Sequence, residues 1–187
     1  VLIDTGSPSS IGKPGDVFDF DGAAHTLVTS HIGQSVERIS TSVEVNFDVL
    51  IGNDLLKRKA FAVDYRGGQF MWDLASLPEQ GVALNLKDKM GVPSLSAQVN
   101  GRDAQLIIDT GATKAYLNES YTRGLDEVGS INDFSPVFGA IHSPAYRAEL
   151  IGLGEPFACE CGNLPFGVQQ MLNSLGVDGI VGQDVFQ

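Results

Sequence analysis

Two apolar runs along this 187-residue chain end in the same three residues. Residues 1–3 lead into Asp4-Thr5-Gly6, and residues 106–108 lead into Asp109-Thr110-Gly111. An apolar run of this kind is typical of a buried strand, and a carboxylate at the end of such a strand is costly to bury. Two such acids in one chain therefore predict a pair with a shared role.

Most of the remaining pattern predicts short strands joined by turns. We expect hairpins at residues 17–28 around Asp21-Gly22, at 61–72, and at 95–108 around Asn100-Gly101, because Asp-Gly and Asn-Gly favour tight turns between strands. Residues 36–39 and 42–47 alternate well enough to predict two half-buried strands. Segments 136–141 and 148–152 predict a further strand pair.

Helices are expected to be few and short. Asp54 stands before residues 55–59, so we interpret it as the N-cap of a short helix with a basic end. Residues 116–120 resemble a strand end running into a short helix. Residues 166–175 carry apolar side chains at helical spacing and stop at Gly176, a C-cap residue type. The chain is therefore predicted to be mainly β with short helices.

A second motif repeats in the same order as the first. Leu50-Ile51-Gly52 follows the first Asp-Thr-Gly, and Ile180-Val181-Gly182 follows the second. A polar residue, an aspartate and an apolar residue come after each glycine. This internal repeat predicts two similar lobes at residues 1–75 and 92–187, joined by a linker at 76–91.

The charge balance narrows the choice of partners. The chain has 12 basic and 23 acidic residues, for a net charge of −11, which disfavours general binding to nucleic acid or to anionic membranes. A neutral or basic ligand remains compatible with it. No apolar run reaches the ~20 residues of a membrane-spanning helix, and the segment begins without a signal-peptide pattern. The cellular compartment stays open.

Metal and cofactor chemistry have little support. Cys159 and Cys161 are too close for an unstrained bridge, and they lack a second Cys-x-x-Cys. The histidines, His25, His31 and His142, show no ligand spacing. We interpret the cysteines as lying on opposite faces of a strand, and we expect no metal and no cofactor.

The two motifs together resemble those of the retropepsin-like aspartic proteases, which include the retroviral proteases and are related to the two-lobed pepsins. In that family each lobe contributes one Asp-Thr-Gly and a later hydrophobic-hydrophobic-glycine motif. The resemblance implies two lobes about a pseudo-twofold axis, with Asp4 and Asp109 as catalytic residues. It also places Thr5 and Thr110 in a hydrogen-bond network between the lobes, with Gly6 and Gly111 at a close backbone approach.

Paired carboxylates suit this chemistry because two acids a few ångströms apart cannot both ionise comfortably and so share a proton. One accepts a proton from water while the other donates to a peptide carbonyl. The resemblance thus implies an aspartic endopeptidase acting on a peptide or protein substrate. We expect one dyad within a monomer, although dyads formed between two chains remain an alternative. A second alternative is a catalytically silent fold that binds peptides.

Several positions depart from the family pattern. Ser7 follows the first Asp-Thr-Gly whereas Ala112 follows the second. If the Ser7 hydroxyl donates to a carboxylate, replacing it by alanine should raise the lower apparent pKa of the pH profile. Asn53 and Gln183 stand where retroviral enzymes usually carry arginine. No flap signature is present, and we place the flaps at the Asp21-Gly22 hairpin and at residues 138–146.

Overall fold

The computed structural model describes residues 1–30, 33–76, 81–135 and 139–186. Its strands in the first part of the chain are β1 (Leu2–Ile3), β2 (Val17–Phe20), β3 (Ala23–Thr26), β4 (Leu50–Ile51), β5 (Phe61–Asp64) and β6 (Gln69–Trp72). The later strands are β7 (Lys87–Lys89), β8 (Val92–Val99), β9 (Arg102–Ile108), β10 (Ala115–Leu117), β11 (Glu127–Ser135), β12 (Gly139–Ile151), β13 (Phe157–Asn163) and β14 (Gly179–Val181).

The helices are short, as expected. They are α1 (Val36–Ser42), α2 (Asn53–Leu56), α3 (Glu119–Thr122) and α4 (Phe166–Ser174), with a 3-10 helix at Gln183–Val185. Strand residues outnumber helical residues, so the prediction of a mainly β fold with short helices is confirmed. The helix at 166–175 is also confirmed, because α4 ends before Gly176, which has a φ of +65°.

The second half of the chain forms one sheet of eight strands in the order β11-β12-β13-β10-β14-β9-β8-β7. The β8–β9 hairpin turns at Asn100 and Gly101, whose φ angles of 49° and 75° are left-handed, as a type I′ turn requires. Strand β9 delivers Asp109, and β14 lies parallel beside it with Val181 opposite Ile108. The second Asp-Thr-Gly is therefore braced by its own downstream glycine motif.

The first half repeats this arrangement on a smaller scale. Strand β1 pairs in parallel with β4, Ile3 lying opposite Ile51, so Asp4 emerges beside Gly52 as Asp109 does beside Gly182. The predicted hairpins at 17–28 and 61–72 are present as β2–β3 and β5–β6. Corresponding strands thus hold the two copies of each motif in corresponding positions.

Buried side chains anchor both motif strands. Leu106 and Val181 are 0 % and 1 % exposed in the second-half core, which also contains Leu95, Leu117 and Leu150. In the first half, Leu50 packs in a smaller cluster with Ile11, Val36, Ile39 and Phe47. Ile51 belongs to a neighbouring cluster with Leu27, Leu55 and Leu56. Each Asp-Thr-Gly loop consequently leaves a strand that is fixed by packing.

The strands predicted at 36–39 and 42–47 are wrong, because α1 occupies most of that stretch. The Ser35 hydroxyl accepts a hydrogen bond from the Arg38 amide at 3.4 Å, which caps the helix. Val36 and Ile39 are buried at a spacing of three, which is a helical period. The short alternation of apolar residues concealed this cap.

The N-cap assigned to Asp54 is also wrong. Gly52 precedes α2, and Asp54 is the second residue of the helix. Its carboxylate accepts hydrogen bonds from the Ser10 amide at 2.8 Å and the Ser10 hydroxyl at 2.7 Å. A contact between residues 44 positions apart prevails over the local capping pattern.

The strand pair predicted at 136–141 and 148–152 is corrected as well. The described parts of both segments lie almost wholly within the single strand β12, which pairs with β11; residues 136–138 lie outside the described residues. Several positions of β11 and β12 face solvent, so their polar residues interrupt the apolar pattern.

Two further differences concern β7 and β13. Strand β7 lies inside the predicted linker at 76–91 and pairs with β8. Cys159 and Cys161 are both buried on β13 and share the core face, because residues two apart in a strand point the same way. The interpretation that they lie on opposite faces is therefore wrong.

Candidate active site

The two Asp-Thr-Gly loops meet through reciprocal hydrogen bonds. The Thr5 amide donates to Thr110 Oγ1 at 3.0 Å, and the Thr110 amide donates to Thr5 Oγ1 at 2.9 Å. Each hydroxyl in turn donates to a carbonyl of the opposite strand, Thr5 to Ile108 and Thr110 to Ile3, both at 2.9 Å. Four hydrogen bonds thus fix the loops face to face.

The glycines allow this approach. A Cβ atom built on Gly111 would lie 2.8 Å from Asp4 Oδ1, and one built on Gly6 would overlap the Asp109 carboxyl group. Each glycine amide also donates to the aspartate of its own loop, Gly6 to Asp4 and Gly111 to Asp109, both at 2.8 Å. Glycine is therefore required here for close contact between the loops.

Asp4 and Asp109 are brought together as a dyad, hydrogen-bonded to each other through their carboxyl groups. Burial raises the pKa of Asp4 well above its ordinary value, and the charge and hydrogen bond of Asp109 raise it further. Burial also raises the pKa of Asp109, but the Gly111 amide and the hydrogen bond from Asp4 act in the opposite direction. Burial therefore favours a proton shared between the two carboxyls, and Asp109 acts on Asp4 in the same direction as burial.

The hydrophobic-hydrophobic-glycine motifs lie directly against the loops. A Cβ on Gly52 would be 2.6 Å from the Ser9 carbonyl, and one on Gly182 would be 2.8 Å from the Ala112 carbonyl. Leu50 and Ile51, like Ile180 and Val181, form the strands that end at these glycines. The motif glycines consequently let each strand end pass under its Asp-Thr-Gly loop.

Sequence reasoning missed a pair of amide side chains. Asn53 Nδ2 donates to the carbonyls of Thr5 at 2.6 Å and Ser7 at 3.1 Å. Gln183 Nε2 donates to the Thr110 carbonyl at 2.6 Å. The available signal was that both residues follow a motif glycine and both carry a carboxamide, which can donate to a loop carbonyl.

The proposed role of the Ser7 hydroxyl is corrected. Its Oγ donates to the Ser9 carbonyl at 2.8 Å. Burial raises the pKa of both aspartates, and the Ser7 backbone amide opposes this rise at Asp4 after the Gly6 amide, as the Ala112 amide does at Asp109 after the Gly111 amide. The two positions therefore serve their carboxylates through the backbone, and the expected effect of Ser7→Ala on the pH profile loses its basis.

An open cleft of about 370 Å³ lies over the dyad. Its walls are mainly apolar and come from both halves; they include Leu2, Pro8, Ile11, Ile39, Val43, Ile107, Tyr116, Ile141, Val168, Met171, Leu172 and Ile180. The charged lining residues besides the dyad are Lys89 and Asp133, as far as the described part of the chain goes. The cleft has the size and polarity to hold an extended apolar peptide segment.

The two predicted flaps differ in position. Asp133, Phe134 and Ile141 of β11 and β12 line the cleft. Of these residues, Ile141 lies within the predicted flap at 138–146. Residue 138 is outside the described residues. The Asp21-Gly22 hairpin does not line the cleft in the described structure.

Contacts with β6 and with the segment after α2 explain the position of the Asp21-Gly22 hairpin. The rings of Phe20 and Trp72 lie 4.5 Å apart, and the Lys59 ammonium pairs with Asp21 at 2.5 Å. These contacts hold the hairpin against the neighbouring β5–β6 pair.

The described residues contain no group of three or more His, Cys, Asp or Glu side chains placed to hold a metal ion; His31 is not among these residues. A helix with the length and apolarity needed to cross a membrane is likewise absent from the described structure.

No model of a known protein family matches the sequence, and no curated protein matches it either. Among solved structures, simian foamy virus protease aligns with a TM-score of 0.37 and 16 % identity, covering 49 % of this chain and 90 % of that one. The EIAV protease with the inhibitor HBY-793 gives 0.39 and 16 %, covering 57 % and 92 %. The retroviral protease-like domain of Ddi1 from Leishmania major gives 0.31 and 15 %, covering 50 % and 73 %.

Proposed function

We propose that the chain is an aspartic endopeptidase of retropepsin-like architecture, in which Asp4 and Asp109 form one catalytic dyad within a single chain. The observation that carries this proposal is the hydrogen-bonded carboxyl pair at the base of an apolar cleft. The Thr5–Thr110 bonds hold the two acids in register. Preorganisation of this kind is what general acid–base chemistry needs.

In the proposed reaction, the ionised Asp109 removes a proton from a water molecule in the cleft. The resulting oxygen nucleophile attacks the peptide carbonyl carbon while Asp4 donates its proton to the carbonyl oxygen, giving a tetrahedral diol. Asp109 then gives its proton to the amide nitrogen as the C–N bond breaks, and Asp4 takes back a proton from the diol. Both carboxyls return to their starting states, and no covalent enzyme intermediate forms.

The remaining motif residues support the acids in this proposal. Gly6, Gly111, Ser7 and Ala112 provide backbone amides to the carboxylates. The glycine motifs at 50–52 and 180–182 support the loops from below. Apolar cleft walls would bind a peptide or protein substrate in an extended form, with its side chains buried on both sides of the scissile bond.

Cleavage of a peptide library at several pH values tests the proposal. We expect Asp109→Asn and Asp4→Asn each to lower kcat/KM by about 10³-fold or more, because each removes one partner of the proton transfers. A statine-type transition-state mimic should inhibit the unmodified protein. Asp19→Asn is the matched control, since it makes the same chemical change on an exposed position of β2.

Two outcomes would contradict the proposal. Peptide cleavage that survives Asp109→Asn would exclude the dyad mechanism. Peptides that bind the unmodified protein without being cleaved at any pH would instead favour the alternative, a protease-like fold that acts as a peptide-binding module.

A further inference from the structure

The cleft has two walls that correspond in the fold but differ in chemistry. Ile11 bridges antiparallel to Leu50, and Tyr116 pairs antiparallel with Ile180, the same position of the second glycine motif. Ile11 and Tyr116 each lie seven residues after their aspartate, and both line the cleft. The first-half wall is therefore apolar where the second-half wall carries a phenol.

The Tyr116 hydroxyl is hydrogen-bonded to a third carboxylate in the cleft, that of Asp133. Tyr116 Oη donates to Asp133 Oδ2 at 2.8 Å, and the Thr113 hydroxyl donates to the same oxygen at 2.8 Å. The Phe134 amide donates to the other oxygen, Oδ1, at 2.8 Å. Pro8, which corresponds to Thr113 in the first half, has no hydroxyl to hold a carboxylate. Asp133 is thus fixed on one wall only.

Asp133 is held by hydrogen bonds, with no salt bridge to it among the described residues. All three donors are neutral, and no lysine or arginine of the described chain forms an ion pair with Asp133. Lys89, the lysine that lines the cleft, donates to the Leu175 carbonyl at 3.1 Å. A carboxylate offers about four acceptor sites, so three hydrogen bonds leave one for a ligand.

Asp133 also lies near the dyad. Burial is the main cause of the raised pKa of Asp109, and the charge of Asp133 raises it further. Asp133 is half-buried and lines the cleft, so part of it is accessible to a bound molecule. A substrate side chain close to the scissile bond would therefore meet the carboxylate in a mainly apolar environment, where charge attraction is stronger than in water.

We propose that Asp133 is a specificity-determining residue that selects a lysine or arginine side chain on one side of the scissile bond, whereas the opposite wall takes an apolar side chain. This inference rests on the proposed peptidase function and adds the substrate class. The basic side chain is expected at the second-half wall, because Tyr116, Thr113 and Asp133 all belong to the second half of the chain.

Matched peptides test the preference. One series places lysine, norleucine or glutamate at each position around the cleavage site of an otherwise apolar peptide. We expect one position at which kcat/KM for lysine exceeds that for norleucine by about five- to tenfold, the size of a partly screened charge pair, and glutamate to be the poorest. Raising the salt concentration should reduce this ratio in the unmodified protein.

Asp133→Asn should bring the lysine-to-norleucine ratio close to one. A ratio is the appropriate readout because misfolding or a general loss of catalysis lowers both terms alike. Tyr116→Phe is the matched control: it removes one hydrogen bond from Asp133 but keeps the carboxylate, so the ratio should persist even if the overall rate falls.

The results separate this inference from the function on which it rests. Cleavage of apolar peptides with no position that prefers lysine would contradict this inference alone, as would a preference that is unchanged in Asp133→Asn or insensitive to salt. Cleavage of none of the peptides would contradict the peptidase function and this inference together.

Discussion

At the residue scale, Asp4 and Asp109 occupy equivalent positions but unequal environments. Asp109 Oδ1 accepts the amides of Gly111 at 2.8 Å and Ala112 at 3.1 Å, which stabilise its charge. Asp4 has comparable backbone donors, yet burial, together with the negative charge and hydrogen bond of Asp109, favours its protonated form. The unequal pair follows from sharing one proton between two acids.

The raised pKa of Asp4 predicts a pH-dependent cost in stability. The folded chain holds this proton more tightly than the unfolded chain, so the stability it contributes is present at low pH and is lost as pH rises through the folded pKa. Asp4→Asn removes the titration. We expect urea denaturation to give a free energy of unfolding for the variant that is about 1 kcal/mol higher than that of the unmodified protein at pH 7. The difference should be smaller near pH 3.

The exposed Asp19→Asn exchange is the control for this stability measurement. The free energy of unfolding of Asp19→Asn should differ from that of the unmodified protein by a nearly constant amount over the same pH range. A stabilisation by Asp4→Asn that does not grow with pH would contradict the assigned pKa direction.

At the element scale, a short helix follows each glycine motif, and its first residue reaches back to the Asp-Thr-Gly loop. Asn53 opens α2 and Gln183 opens the 3-10 helix. Their backbone amides donate to the Ser7 and Ala112 carbonyls, both at 2.9 Å, while their side chains donate to the loop carbonyls as well. These helices act as supports that position both Asp-Thr-Gly loops.

Gln183→Met tests this support because methionine keeps the length of the side chain but lacks the N–H donor. We expect a loss of about 1–2 kcal/mol in the free energy of unfolding, since the Thr110 carbonyl loses its partner. We also expect kcat to fall by about tenfold with little change in KM, because the positions of the two carboxyl groups relative to each other are less well fixed.

Gln170→Met is the matched control for this exchange, on an exposed position of α4. Equal effects of the two methionine variants on kcat would contradict a positioning role for Gln183.

The elements that sequence predicted best are those with strong local signals. Hairpins at Asp21-Gly22 and Asn100-Gly101 were correct because these residues adopt positive φ angles readily. Helix α1 was missed because a brief alternation concealed the Ser35 cap. The β11–β12 pair was misassigned because a strand with several solvent-facing positions carries polar residues that interrupt its apolar pattern.

At the scale of the whole molecule, the two acids come from halves of one chain. The threonine bonds that join the halves connect residues 105 positions apart. A dyad within one chain requires no partner molecule, so we expect the proposed peptidase activity to be independent of association.

Mixing inactive variants tests this arrangement. We expect equal amounts of Asp4→Asn and Asp109→Asn protein, unfolded together and refolded together, to regain no activity, because every chain lacks one acid of its own dyad. Unmodified protein carried through the same cycle is the control for refolding. Recovery of activity in the mixture would show dyads formed between chains and would contradict the monomer.

The sequence by itself determined the repeated motifs, the mainly β class and the turns with positive φ angles, because these depend on residue type and on close neighbours along the chain. Tertiary structure alone decided how Asp4 and Asp109 meet, that the Ser7 hydroxyl turns away, and that Asp133 joins the cleft wall through Tyr116 and Thr113. Those arrangements depend on contacts between distant residues, whose geometry arises only when the strands pack.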